Sequence, residues 1–112
     1  MTKRKDRLEV VRGSGNVFAD LGMHNADEKQ TKVRLAVAIN QIVQSRRLSQ
    51  AAAARRLRVN QPKISALANY QLAGFSVERL MKFVTALDRD VDIVIRRKPR
   101  SRKFGRIAVS AS

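Results

Sequence analysis

The chain has 112 residues, 44% of them hydrophobic, and carries 24 lysines and arginines against nine acidic residues, a net charge of +15 at pH 7. That length supports one compact domain with extensions at its ends, and that charge exceeds what solubility requires and suits a polyanion, nucleic acid first. No apolar run approaches the roughly 20 residues that span a bilayer, no secretory signal follows Met1, and no cysteine offers a disulfide or thiolate metal site, so the expectation is a soluble cytoplasmic, nucleoid-associated protein.

In chain order, residues 1–24 read as an extension. Met1 to Arg12 is charged, Arg12-Gly-Ser-Gly-Asn16 has linker composition, and Val17, Phe18, Leu21 and Met23 form a short apolar set. That set needs cover, either from the first helix of the domain or from another protein. A long helix is expected from Asn25 or Asp27 to about Arg47, with Asp27 and Glu28 at its positive end and Leu35, Ala38, Ile39 and Ile42 forming its apolar stripe.

Ser49 then caps a short helix over Gln50 to Leu57, and Asn60 caps another whose first turn holds Pro62. Ala54, Leu57, Val59, Ile64 and Leu67 are spaced so that these two helices share one small core across a tight turn. Asn69 to Phe75 reads as a loop containing Gly74. Ser76 caps a fourth helix from Val77 to about Leu87, which buries Leu80, Phe83, Val84 and Leu87. These elements make a domain over 25–88. The pattern then alternates at Val91, Ile93 and Ile95, which predicts a strand within 89–97. A single strand must pair, with Gly105 to Val109 of the same chain or with its own copy in a second protomer. Residues 98–112 form a basic tail.

The charge is not evenly spread. From Lys29 to Val77 there are nine basic residues and no acidic one, and Arg96 to Arg106 adds seven more, again without an acid. Surfaces that only need solubility mix the two signs, so the two zones favour a polyanion.

Leu48-Ser-Gln-Ala-Ala-Ala-Ala-Arg-Arg-Leu-Arg-Val-Asn-Gln-Pro-Lys-Ile-Ser-Ala-Leu67 resembles the helix-turn-helix of the XRE family, the lambda-repressor and Cro type of transcription regulator. The resemblance rests on Ser49-Gln50 opening the first helix, Ala54 at the crossing, Leu57 and Val59 flanking the turn, and Gln61, Ile64-Ser65 and Leu67 in the second helix. It implies a mainly α, lambda-repressor-like bundle of four to five helices, with the C-terminal strand used in dimerisation. In such a unit the second helix enters the major groove, and its early residues reach base edges. Gln61, Lys63, Ala66 and Asn69 are the candidate base contacts; Ser49, Gln50, Arg55 and Ser65 are the candidate phosphate contacts, which position without specifying sequence. Two residues depart from the family pattern. Arg58 stands where glycine is usual, at a steric cost of roughly 1 kcal/mol and with a distorted turn expected, and Ala52 replaces a common acidic residue.

Over a longer stretch, Ser14-Gly-Asn-Val-Phe-Ala-Asp-Leu-Gly22, Gly74-Phe-Ser-Val-Glu-Arg-Leu80 and Val91-Asp-Ile-Val-Ile95 look like the HigA-like antitoxin branch of that family. This implies a homodimer that represses its own operon on double-stranded operator DNA and neutralises a RelE-like toxin, with Val17, Phe18 and Leu21 as candidate docking residues and Val91, Ile93 and Ile95 as candidate dimer residues. The alternatives are a stand-alone or prophage repressor without a toxin, and a basic RNA-binding or nucleoid protein. The last finds only Tyr70 and four phenylalanines for base stacking. Enzyme chemistry is not expected. His24 is the sole histidine, and Asp88, Asp90 and Asp92 lack the glycine and closing glutamate of a calcium loop. No cofactor is expected.

Overall fold

A computed structural model of the chain describes residues 24–111. The docking candidates Val17, Phe18 and Leu21 therefore lie outside the described residues. Within them are four helices: α1 His24–Ser45, α2 Gln50–Leu57, α3 Gln61–Ala68 and α4 Val77–Ala86.

The starts of α2, α3 and α4 are set by polar side chains in extended backbone. Ser49 Oγ accepts from Ala52 N at 3.1 Å, Asn60 Oδ1 from Lys63 N at 2.9 Å, and Ser76 Oγ from Arg79 N at 3.0 Å. Each cap satisfies an N–H that has no partner inside its helix. The ends share a second device. Beyond each helix stands a left-handed residue that is not glycine: Arg47, Arg58, Tyr70 and Asp88, with φ of 55°, 59°, 59° and 66°. The next N–H then reaches back to a last-turn carbonyl, Leu48 to Val43 at 3.0 Å, Val59 to Ala54 at 3.0 Å, Gln71 to Ala66 at 2.9 Å and Arg89 to Val84 at 3.3 Å. All four helices thus stop in a Schellman turn, the reversal that glycine usually occupies.

One core joins them. α1 packs on α4, and α2 packs on α3. Ile39 of α1, Leu80 of α4 and Leu87 just beyond it are the largest fully buried side chains. Leu35 and Ile42 are buried as the α1 stripe predicts, but Ala36 is buried in place of Ala38, which stays half-exposed. Ala53, Ala54, Leu57, Ile64 and Leu67 fill the α2–α3 crossing, with Val59 packed against it. The expected α3–α4 loop does more than connect. Its Leu72 and Phe75 are buried, and the Phe75 ring meets Phe83 edge to face at 6.0 Å.

The expected strand is not formed: from Asp90 to Ala111 the chain has no helix and no strand. Val91 packs against the core, whereas Ile93 and Ile95 are 74% and 93% exposed. A strand needs a ladder partner, and among the described residues none is supplied. The segment that was to fold back on it goes elsewhere: Val109 packs against the core, and its carbonyl accepts from Arg34 Nη1 at 3.2 Å.

Candidate nucleic-acid interface

The short helix α3 has two faces. Ile64 and Leu67 point into the core, while Gln61, Pro62 and Ala68 are exposed and Ser65 and Ala66 are half-buried. Asn69, just beyond the helix, is also exposed. The helix is fastened from behind. Asn40 Nδ2 of α1 donates to Leu67 O at 3.2 Å, satisfying a carbonyl of its last turn. Gln61, Ser65 and Asn69 are one helical turn apart in succession, so they fall along one face of the helix. Asn69 Nδ2 donates to Ser65 O at 2.9 Å, and its side-chain carbonyl oxygen remains available as an acceptor.

Lys63 behaves differently from its three companions. Its ammonium donates to Gly74 O at 3.1 Å and lies 4.7 Å from the centre of the Phe75 ring. A cation over a ring is worth about 0.5–1 kcal/mol at such a site. Reaching a base would mean releasing both contacts, so in this conformation Lys63 ties α3 to the following loop. Gly74 makes room for it: a Cβ there would lie 2.9 Å from Lys63 Nζ.

The phosphate candidates sit on α2 and at its start. Gln50 and Arg55 are exposed, Ser49 is exposed but occupied by its cap, and Ser65 lies on α3. Other cations divide into two sets. Arg56 donates to Asp88 Oδ2 at 2.7 Å and to Ala86 O at 3.3 Å, and Arg46 joins the same carboxylate at 3.4 Å. These two arginines fasten α2 and the end of α1 to the end of α4. Arg47, Arg55 and Arg58 are exposed and unpaired among the described residues. Together they put three free guanidinium groups on α2 and its flanking turns, each suited to bidentate contact with phosphate.

Among the described residues, no group of His, Asp and Glu could hold a metal ion. No helix there is long and apolar enough to cross a membrane.

A family model described as a helix-turn-helix domain matches residues 17–96. A solved structure named as an XRE family transcriptional regulator is 64% identical, superposes with a TM-score of 0.75, and is matched over 79% of this chain and 99% of its own. The chain belongs to the XRE-type helix-turn-helix family. A comparison with curated proteins found no match.

Within this XRE-type unit the turn is not distorted by Arg58. The residue takes the left-handed conformation, φ 59° and ψ 44°, that glycine would take, so the strain is absorbed locally and the helix crossing is kept. The sequence marks Arg58 only as a departure from glycine and not among the phosphate candidates, yet it is an exposed cation at this corner. Its signal was the departure from glycine itself. Asn40 was also missed; on α1 it reads as one more polar residue on an outward face, and only the fold shows it bonded to α3.

Proposed function

We propose that this XRE-type protein is a sequence-specific DNA-binding transcription repressor that sets α3 in the major groove of its operator. The observation that carries this is the exposed Gln61 and Asn69, with the half-buried Ala66 beside them, on a helix whose opposite face is locked in the core and whose partner helix carries free Arg55 between free Arg47 and Arg58 in its flanking turns. Gln61 pairs with the N6 and N7 edge of an adenine, Ala66 meets a thymine methyl, and Gln50, Arg55 and Arg58 hold phosphates. The protein acts in the cytoplasm, without catalytic chemistry or a cofactor.

The repressor works as a homodimer. Val91, Ile93 and Ile95 pair with the same segment of a second protomer, which gives the exposed Ile93 and Ile95 the cover they lack among the described residues of one chain. Reading helices about 34 Å apart then match half-sites one DNA turn apart. The likeness of Ser14–Gly22, Gly74–Leu80 and Val91–Ile95 to HigA-like antitoxins adds a toxin partner, a small RelE-like protein docked on Val17, Phe18 and Leu21, encoded in the operon being repressed.

The test is fluorescence anisotropy with DNA from upstream of the gene against scrambled DNA of equal length, across a salt series. The reading expects a preference of about a thousandfold or more that persists as salt rises. Equal binding and equal release would mean that charge acts alone. For the toxin, co-expression with the product of the adjacent gene should rescue growth and co-purify both proteins. If neither occurs, the protein is a repressor without a toxin.

A further inference from the structure

The chain beyond α4 has no regular structure, yet it is fastened at both ends. At its root, Asp88 holds Arg56 of α2 at 2.7 Å, so the segment leaves the body beside the helix that flanks α3. Val91 then packs on the core. At its far end Val109 packs on the same core and is held by Arg34 at 3.2 Å. Between these anchors the chain makes a turn. Lys98 Nζ donates to Arg102 O at 2.7 Å and to Pro99 O at 3.4 Å, and Arg102 N donates to Pro99 O at 3.3 Å.

This anchored loop carries the seven cations of Arg96 to Arg106, with no acid among them. Lys98 and Arg102 are engaged within the loop, and Lys103 lies 5.5 Å from the Phe104 ring centre. Arg96, Arg97, Arg100 and Arg106 are exposed and have no partner among the described residues. Four unpaired guanidinium groups on one closed loop repel each other until a polyanion arrives, and their planar forks fit phosphate oxygens.

We propose that residues 96–106 form a second DNA contact, an arm that grips the phosphate backbone of the duplex flanking the major-groove site, through Arg96, Arg97, Arg100 and Arg106. The inference rests on the DNA-binding reading above. Its geometry favours duplex DNA because the arm is rooted beside α2, whose own free arginines face the same polyanion. The roughly eight residues from Asp88 to Arg96 span at most about 28 Å, less than one turn of DNA, so the arm starts within that reach of its root beside α2.

The test replaces Arg96, Arg97, Arg100 and Arg106 together by Gln in the full chain. The probes are the upstream duplex with about ten flanking base pairs on each side, the same site trimmed of its flanks, and a scrambled duplex of the longer length. On both long duplexes the slope of log K against log salt should become shallower by about three for each protomer bound, near the limit of roughly 0.9 per phosphate contact for four contacts, and by about twice that for a dimer with both arms engaged, with affinity at about 0.15 M salt falling roughly 10- to 100-fold per arm. The ratio of upstream to scrambled binding should stay within about threefold, and on the trimmed site the variant and the parent should converge. An unchanged slope on the long duplexes overturns the arm and leaves its charge to RNA or an acidic protein. A collapsed ratio at unchanged slope overturns it as well. If the parent shows no preference for upstream DNA, the regulator reading falls while the slope on scrambled DNA still decides the arm; if the parent binds neither duplex, both fall.

Discussion

Leu80 and Ile95 are aliphatic residues of the same C-terminal third, and each sits in a stretch of regular apolar spacing. Leu80 is fully buried, and Ile95 is 93% exposed. The difference lies in what stands opposite. α4 finds α1 against its apolar face, and its backbone is closed by a cap at one end and a Schellman turn at the other. The segment around Ile95 has neither a covering element nor a ladder partner among the described residues. Periodicity states which residues want cover; only the fold or a partner supplies it.

The sharpest way to break this contrast is to truncate both residues. Leu80→Ala should cost about 2–5 kcal/mol in chemical denaturation, whereas Ile95→Ala should stay within about 0.5 kcal/mol at dilutions where the protein is monomeric. A large loss from Ile95→Ala under those conditions would mean that the segment is covered within one chain. On the interface side of the body, Gln61→Ala should cost about 1–3 kcal/mol of operator binding and relax preference at one base position. Unchanged preference in a binding-site selection would move the reading helix elsewhere. Arg58→Gly should raise stability by about 0.5–1 kcal/mol, a few degrees in Tm, by relieving the left-handed residue, while operator affinity drops through the lost phosphate contact. Gly74→Ala has the smallest stability effect, under about 0.5 kcal/mol, because its new Cβ meets only the flexible end of Lys63, 2.9 Å away. It should free the ammonium, which NMR of the Lys63 side chain would register as loss of the ring-current shift from Phe75.

Much of the body was legible from residue types alone. Ser49, Asn60 and Ser76 announce three helix starts because a short polar side chain ahead of an apolar run has one good local use. All three cap as expected. The buried residues of α4 were equally plain, since large aliphatic and aromatic side chains leave little doubt about which face turns inward. Alanine carries no such signal. Ala36 is buried where the α1 stripe pointed to Ala38, and on α2 Ala53 is buried beside the expected Ala54, because a residue that suits any helix position does not reveal its face. Leu72 and Phe75 were hidden by their loop composition, and Lys63 by the loop that captures it. No strand forms among the described residues of one chain because alternation describes only one side of a pairing.

The four left-handed corners have one further consequence. No glycine lies between Gly22 and Gly74, so the reversals after α1, α2 and α3 are made by Arg47, Arg58 and Tyr70, residues with far fewer backbone conformations open to them. The pose of α3 against α2 is therefore set before any DNA arrives, and association should order little of the body. The unfavourable entropy of binding, measured by calorimetry, should then track the residues beyond Asp88 and shrink when they are removed, with the heat-capacity change of the helix-turn-helix contact left in place.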